Sequence, residues 1–160
     1  MNQQELSNAL RKEVIKNGHA VQTIASGYSM FPFLRKGDTL TIEPVPMNNI
    51  KRGDVVVFES EEKWIAHRVI KIRNNTKGLE FLLRGDTCFQ FDPVVDHENY
   101  IGSVSVFIRN NSKKTLSKGV FYVWKKSIVA LGMLYTLPLY CTRIFAGLIL
   151  YPFLKRRSIV

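Results

Sequence analysis

Cysteine is scarce in this sequence: 160 residues hold two, Cys88 and Cys141, and no Cys-x-x-Cys pair. A disulfide framework needs an even set of four or more, and a cysteine-type zinc site needs closely spaced pairs, so both are disfavoured. Histidine is nearly as rare, with three copies, which leaves few places for chemistry that needs an imidazole. The opening stretch, MNQQELSNALRKEVIKNGHA, has no apolar run of the signal-peptide kind, and no cleaved export signal is expected. Repeats and low-complexity tracts are missing too. Acidic residues are in deficit, 13 against 23 Lys and Arg, giving a net charge of +10 and a pI near 9.8. Such a balance points to a polyanion or an anionic membrane surface as partner. With 46% hydrophobic and 22% charged residues the chain is globular, and its length fits one domain with one real core.

What is present changes period along the chain. Leu6, Leu10 and Val14 recur every fourth residue among polar side chains, and Asn17-Gly18 follows, which predicts a helix over residues 3–16. From there the period falls to two. HAVQTIA, DTLTIEPV, GDVVVFES, WIAHRVIKI, LEFLLRGD and YIGSVSVFI are short, rich in Val, Ile, Thr and aromatics, and bounded by Gly, Asp, Asn or Pro. That spacing predicts a mainly β, antiparallel domain over residues 18–110, after an N-terminal helix in 1–17. Three turns, Lys36-Gly37-Asp38, Arg52-Gly53-Asp54 and Arg84-Gly85-Asp86, have the composition of tight connections beside strands. Although two of them spell Arg-Gly-Asp, turn chemistry is the better account than adhesion.

A polar, basic stretch, RNNSKKTLSKG (109–119), reads as a connector and extends to 126. Beyond it, residues 127–154 are almost continuously apolar and carry one charge, Arg143. The whole of 127–160 is read as an apolar, helical, membrane-associating tail. About twenty apolar residues suffice to span a bilayer. Lys125, Lys126, Lys155, Arg156 and Arg157 flank the run on both sides, so charge does not orient it. A membrane-associated location is expected, with the side facing the active site left open.

The stretch SGYSMFPFLRKGD (26–38) raises the question of chemistry. It sets one hydroxyl, Ser29, among Tyr28, Met30 and Phe31, between Gly27, which permits a left-handed backbone, and Pro32, which stops a strand. A serine can serve as nucleophile if an imidazole takes its proton, because its hydroxyl does not ionise at neutral pH. His19 reads as a turn residue and His97, among acids, as a solvated loop residue. His67 lies mid-strand on the face of Ile65 and Val69, where a satisfied core histidine is as good a reading as a base. Downstream, Asp86 and Asp92 are candidate carboxylates to orient it. Any chain this long contains a Ser, a His and an Asp, so composition alone says little.

The order of short boxes says more. SGYSMFP with GDTLTI, then KRGDVVVF, AHRVIKI and RGDTCFQFD, followed by IGSVSVFI, resemble the successive boxes of type I signal peptidases across roughly residues 24–108. The Gly-x-Ser-Met spacing is closer to the self-cleaving SOS-repressor relatives. Bacterial-type signal peptidases place a lysine where His67 stands, so the resemblance is to the endoplasmic-reticulum-type, Ser-His-Asp branch. It implies a signal-peptidase-like β-domain, Ser29 rather than Ser26 as nucleophile, His67 as base, Asp92 as orienting carboxylate and Asp86 in support. It further implies an oxyanion site from the Ser29 amide and the Ser26 hydroxyl, with Met30 beside the substrate, and small residues such as alanine ahead of the cut. No cofactor and no metal are expected. The partner is a peptide or protein substrate with a leader segment, and nucleic acid is not one. Two alternatives stay open: a cytoplasmic maturation protease for one exported peptide, and a non-catalytic basic β-module that binds membrane or nucleic acid. A self-cleaving repressor is disfavoured because residues 1–17 are too short for a DNA-binding domain.

Overall fold

Helix α1 spans Gln3–Lys16, the range its period predicted, and Gly18, at φ 84°, turns the chain out of it. Its orientation is not what the period suggests. Ile15 and Asn8 are buried, whereas Leu6, Leu10 and Val14 are 47%, 61% and 41% exposed. The face that packs on the domain is the polar-lined one, and Lys12 pairs with Glu59 there. The computed structural model describes residues 3–76 and 78–116. The apolar run of 127–154 and most of the connector ahead of it lie outside the described residues.

Among the described residues seven strands follow: β1 (Val21–Ile24), β2 (Thr39–Glu43), β3 (Val55–Ser60), β4 (Lys63–Asn75), β5 (Gly78–Arg84), β6 (Tyr100–Arg109) and β7 (Ser112–Thr115). They form one antiparallel sheet in the order β1-β2-β6-β3-β4-β5, with β7 paired to β6. Six of the seven coincide with the runs of period two. The seventh starts the segment read as a connector. There Asn110 and Asn111 take φ values of 50° and 57°, the two-residue turn that closes a hairpin, and Asn tolerates that conformation better than other non-glycine residues. The polar composition of SKKT hid the strand, because β7 is an edge with little to bury.

Alternation sends side chains of the central strands to opposite faces, and each face has its own core. Val55, Val57, Leu40, Ile42, Val104 and Phe107 pack on one side with Ile15 of α1, Met30 and Leu34. Val56, Phe58, Val69, Phe81, Leu83 and Val95 pack on the other. Central strands buried on both faces explain the unbroken run Val55–Phe58, in which every residue is buried. Val95 also bridges to Phe81 by two backbone hydrogen bonds, which folds the long β5–β6 loop back over the second core.

The three basic-Gly-Asp turns behave differently from one another. Gly37 and Gly53 have φ of 92° and 87°, and the Asp38 and Asp54 carboxylates accept the amides of Arg35 and Lys51. Asp38 is buried and also accepts two hydrogen bonds from Arg109, at 2.8 and 2.6 Å, while Arg109 Nη2 donates to Phe33 O. Burial alone would raise the Asp38 carboxyl, but the hydrogen bonds from Arg109 and from the Arg35 amide outweigh it and hold it below the usual carboxylate range. The third turn belongs to the candidate site.

Candidate active site

Ser29 lies in the loop between β1 and β2, His67 in the middle of β4, and Asp92 in the loop after β5. Their separation along the chain vanishes in the fold. The Ser29 Oγ is 2.9 Å from His67 Nε2, and His67 Nδ1 is 2.6 Å from Asp92 Oδ2. A carboxylate can only accept, so in the neutral imidazole Nδ1 carries the hydrogen and donates it to Asp92. That leaves Nε2 with its lone pair toward the serine, as acceptor of the Ser29 hydroxyl. His67 is 7% exposed, its ring backed by that of Phe58 at 6.2 Å between centroids. Burial there limits the orientations open to the ring.

Each partner is held from behind. Ser29 O accepts hydrogen bonds from Thr87 N at 2.9 Å and Thr87 Oγ1 at 3.1 Å, which tie the Ser29 loop to the turn after β5. The same hydroxyl reaches Tyr28 O at 3.2 Å. Asp92 N donates to Leu83 O at 3.0 Å, anchoring the carboxylate's loop to β5. Phe31-Pro32 is a cis peptide, and Phe33 N and Leu34 N both donate to Met30 O, so the chain turns sharply behind Ser29. Gly27 does not use the left-handed backbone its type permits; the turn is made farther on, at 28–34.

The two aspartates part company. Asp86 sits 2% exposed and takes a two-pronged hydrogen bond from Arg68, Nε to Oδ1 at 2.7 Å and Nη2 to Oδ2 at 2.6 Å. Arg68 Nη1 donates to Gly53 O, which links this turn to the one before β3. Asp86 is thus bonded to the neighbour of His67 in the chain rather than to His67 itself. Next to it, Arg84 is 2% exposed and lies 5.3 Å over the Phe91 ring. Burial lowers its guanidinium pKa and the Asp86 charge offsets part of that.

Gly85 is the residue that reading the sequence undervalued. As a member of an Arg-Gly-Asp turn it was expected to supply backbone freedom, yet its φ is not positive. A Cβ here would lie 2.8 Å from Cys88 Sγ, 2.9 Å from Ser29 O and 3.0 Å from His67 Nε2. Glycine is needed because the site closes over it. Thr87 was missed as well; nothing in a Gly-Asp-Thr triplet marks the threonine as a clamp.

A cleft of about 230 Å³ runs up to Ser29. Thr23 to Gly27 line it from the β1 side and Trp64 to Ala66 from β4, over Met30, Leu34 and Val57. Ser26 lines the cleft and is exposed; Met30 is 4% exposed and belongs to the core beneath. His19 and His97 are exposed and away from this constellation, as their settings in the sequence predicted. Among the described residues no cluster of His, Cys, Asp and Glu could hold a metal ion.

The profile of the Peptidase S24-like family matches residues 2–81, half of the chain. The matched span includes Ser29 and His67 and stops short of Asp86 and Asp92. No curated protein matches the chain.

Proposed function

The chain belongs to the Peptidase S24-like family, and we propose on that premise that it is a serine endopeptidase of the Ser-His-Asp type acting on a leader or signal segment. Family membership supports serine-peptidase or self-cleaving activity; the rest of the reading rests on the site. In the proposed reaction His67 Nε2 takes the Ser29 proton as Oγ attacks the scissile carbonyl carbon. The tetrahedral intermediate collapses, the C–N bond breaks, and His67 passes the proton to the leaving amine. The N-terminal part of the substrate is left as an ester on Ser29. Water, giving its proton to His67, then attacks the ester carbon; the bond to Ser29 Oγ breaks, His67 returns the proton to Oγ, and the acid leaves. Asp92 keeps the imidazole in the tautomer that can accept and stabilises the imidazolium. The cleft beside β1 suits an extended peptide, since among the described residues β1 pairs with β2 alone and its other edge carries no strand, which offers main-chain groups to a substrate.

The observation that carries this reading is the pair of contacts on the two ring nitrogens, 2.9 Å from Ser29 to His67 and 2.6 Å from His67 to Asp92. It is tested by treating the purified full chain with a fluorophosphonate and locating the adduct by mass spectrometry. The expected adduct is on Ser29, absent from Ser29→Ala and strongly reduced in His67→Ala. Labelling that persists in both variants, or falls elsewhere, overturns the mechanism.

A further inference from the structure

Helix α1 is packed with its apolar stripe turned away from the domain. At about 100° per residue, Leu6, Leu10 and Val14 fall within an arc of about 80°, and Ile15 lies on the far side. Ile15 is 6% exposed and Leu10 61%. A helix that could bury three aliphatic side chains by rotating has instead buried Ile15 and Asn8, so its stripe is left for something outside the described domain.

We infer that this outward face of α1 lies in the interfacial layer of an anionic lipid bilayer. Three observations favour lipid over other occupants. The described residues end at Leu116, which packs against the same core as Ile15. Residues 117–160 hold seven of the 23 Lys and Arg and none of the 13 Asp and Glu, which places most of the net charge next to an apolar run. Clustered cations beside an apolar segment suit anionic headgroups, each adding about 1 kcal/mol near such a surface. Lastly, a self-association interface normally buries above about 1,000 Å² in total, more than one stripe of three side chains supplies. An interfacial helix has no such minimum, and two weak membrane contacts on one chain reinforce each other. The helix itself is nearly neutral, Glu5 and Glu13 against Arg11, Lys12 and Lys16, so its part is apolar and the tail's electrostatic. This inference does not depend on the catalytic reading.

The test reads contact with lipid rather than turnover. In a full chain with Cys88 and Cys141 replaced by serine, one fluorescent label is attached in turn to Leu10→Cys, Leu6→Cys and, on the exposed β4 end, Asn74→Cys. The protein is mixed with phosphatidylcholine–phosphatidylglycerol vesicles carrying a quencher on the acyl chains, and binding is verified by sedimentation. The expected result is at least about twofold quenching at Leu10 and Leu6 and none at Asn74, with weaker binding to phosphatidylcholine alone. A label on vesicle-bound protein that stays open to iodide in water overturns the inference: the tail then binds alone. Protection from both quenchers also overturns it, assigning the stripe to the chain's own tail, or to a second copy if dilution removes the protection. A chain that does not sediment with vesicles overturns it as well.

Discussion

At the scale of single residues, the site separates two carboxylates that the sequence offered as a pair. Asp92, bonded to His67, keeps 16% of its side chain exposed; Asp86, bonded to Arg68, is fully buried. Removing charge from each should therefore fail differently. Asp92→Asn should leave thermal unfolding close to wild type and lower peptide turnover by roughly 10⁴, the size lost when a triad carboxylate becomes an amide. Asp86→Asn should leave the Arg68 charge uncompensated in the interior and cost about 3–5 kcal/mol of stability, read by urea unfolding. The reverse pattern would transfer the orienting role to Asp86. Gly85→Ala gives a third outcome. A methyl group there displaces Ser29 O or His67 Nε2, and Ser29 O is main chain already held by Thr87. Turnover should fall by more than about tenfold, with little change in the mutant's affinity for a peptide bound through β1.

At the scale of elements, the loop carrying Ser29 is tied at its far end by Asp38 and Arg109, which join the turn before β2 to the end of β6. The Asp38 carboxyl is depressed in the fold and ordinary in the unfolded chain. Its contribution is therefore complete above the ordinary value of 3.8 and is lost as pH falls through the lower, folded value. Asp38→Asn should accordingly be less stable than wild type at neutral pH and lose less stability on acidification below that value. Urea midpoints measured across the acid range check this; parallel slopes for both proteins would remove Asp38 as the cause. Helix α1 shows how far an element can be legible and its placement not. Its limits follow from the Leu6-Leu10-Val14 period and the Asn17-Gly18 stop. Period alone says which side chains share a face; it does not say which face meets the sheet, because that depends on the surface offered by β1 and β6.

At the scale of the whole molecule, two cores on opposite faces of one sheet meet at β4, and His67 stands on the face of the second. Phe81 is wholly buried in that second core and bridges to Val95 of the loop that leads away from Asp92. Phe81→Ala should cost about 3–5 kcal/mol and lower turnover through the Asp92 loop, whereas Leu10→Gln should stay within about 0.5 kcal/mol of wild type. Thermal unfolding of both variants decides it; a large loss from Leu10→Gln would mean that the stripe is covered within the protein.

The sequence by itself determined the alternation of six strands, the limits of α1, and the identity of Ser29 and His67 as candidates, because these depend on neighbours a few residues apart. The order of the boxes also ranked Asp92 ahead of Asp86. Only the tertiary structure decided that Asp92 touches His67 while Asp86 is held by Arg68, since both distances are set by how β4, β5 and the following loop cross. It also decided the need for glycine at Gly85, the clamp of Thr87 on Ser29, the pairing of a polar β7 with β6, and the outward turn of the α1 stripe. Each of these is a contact between residues distant in the chain, and no local period or composition carries it.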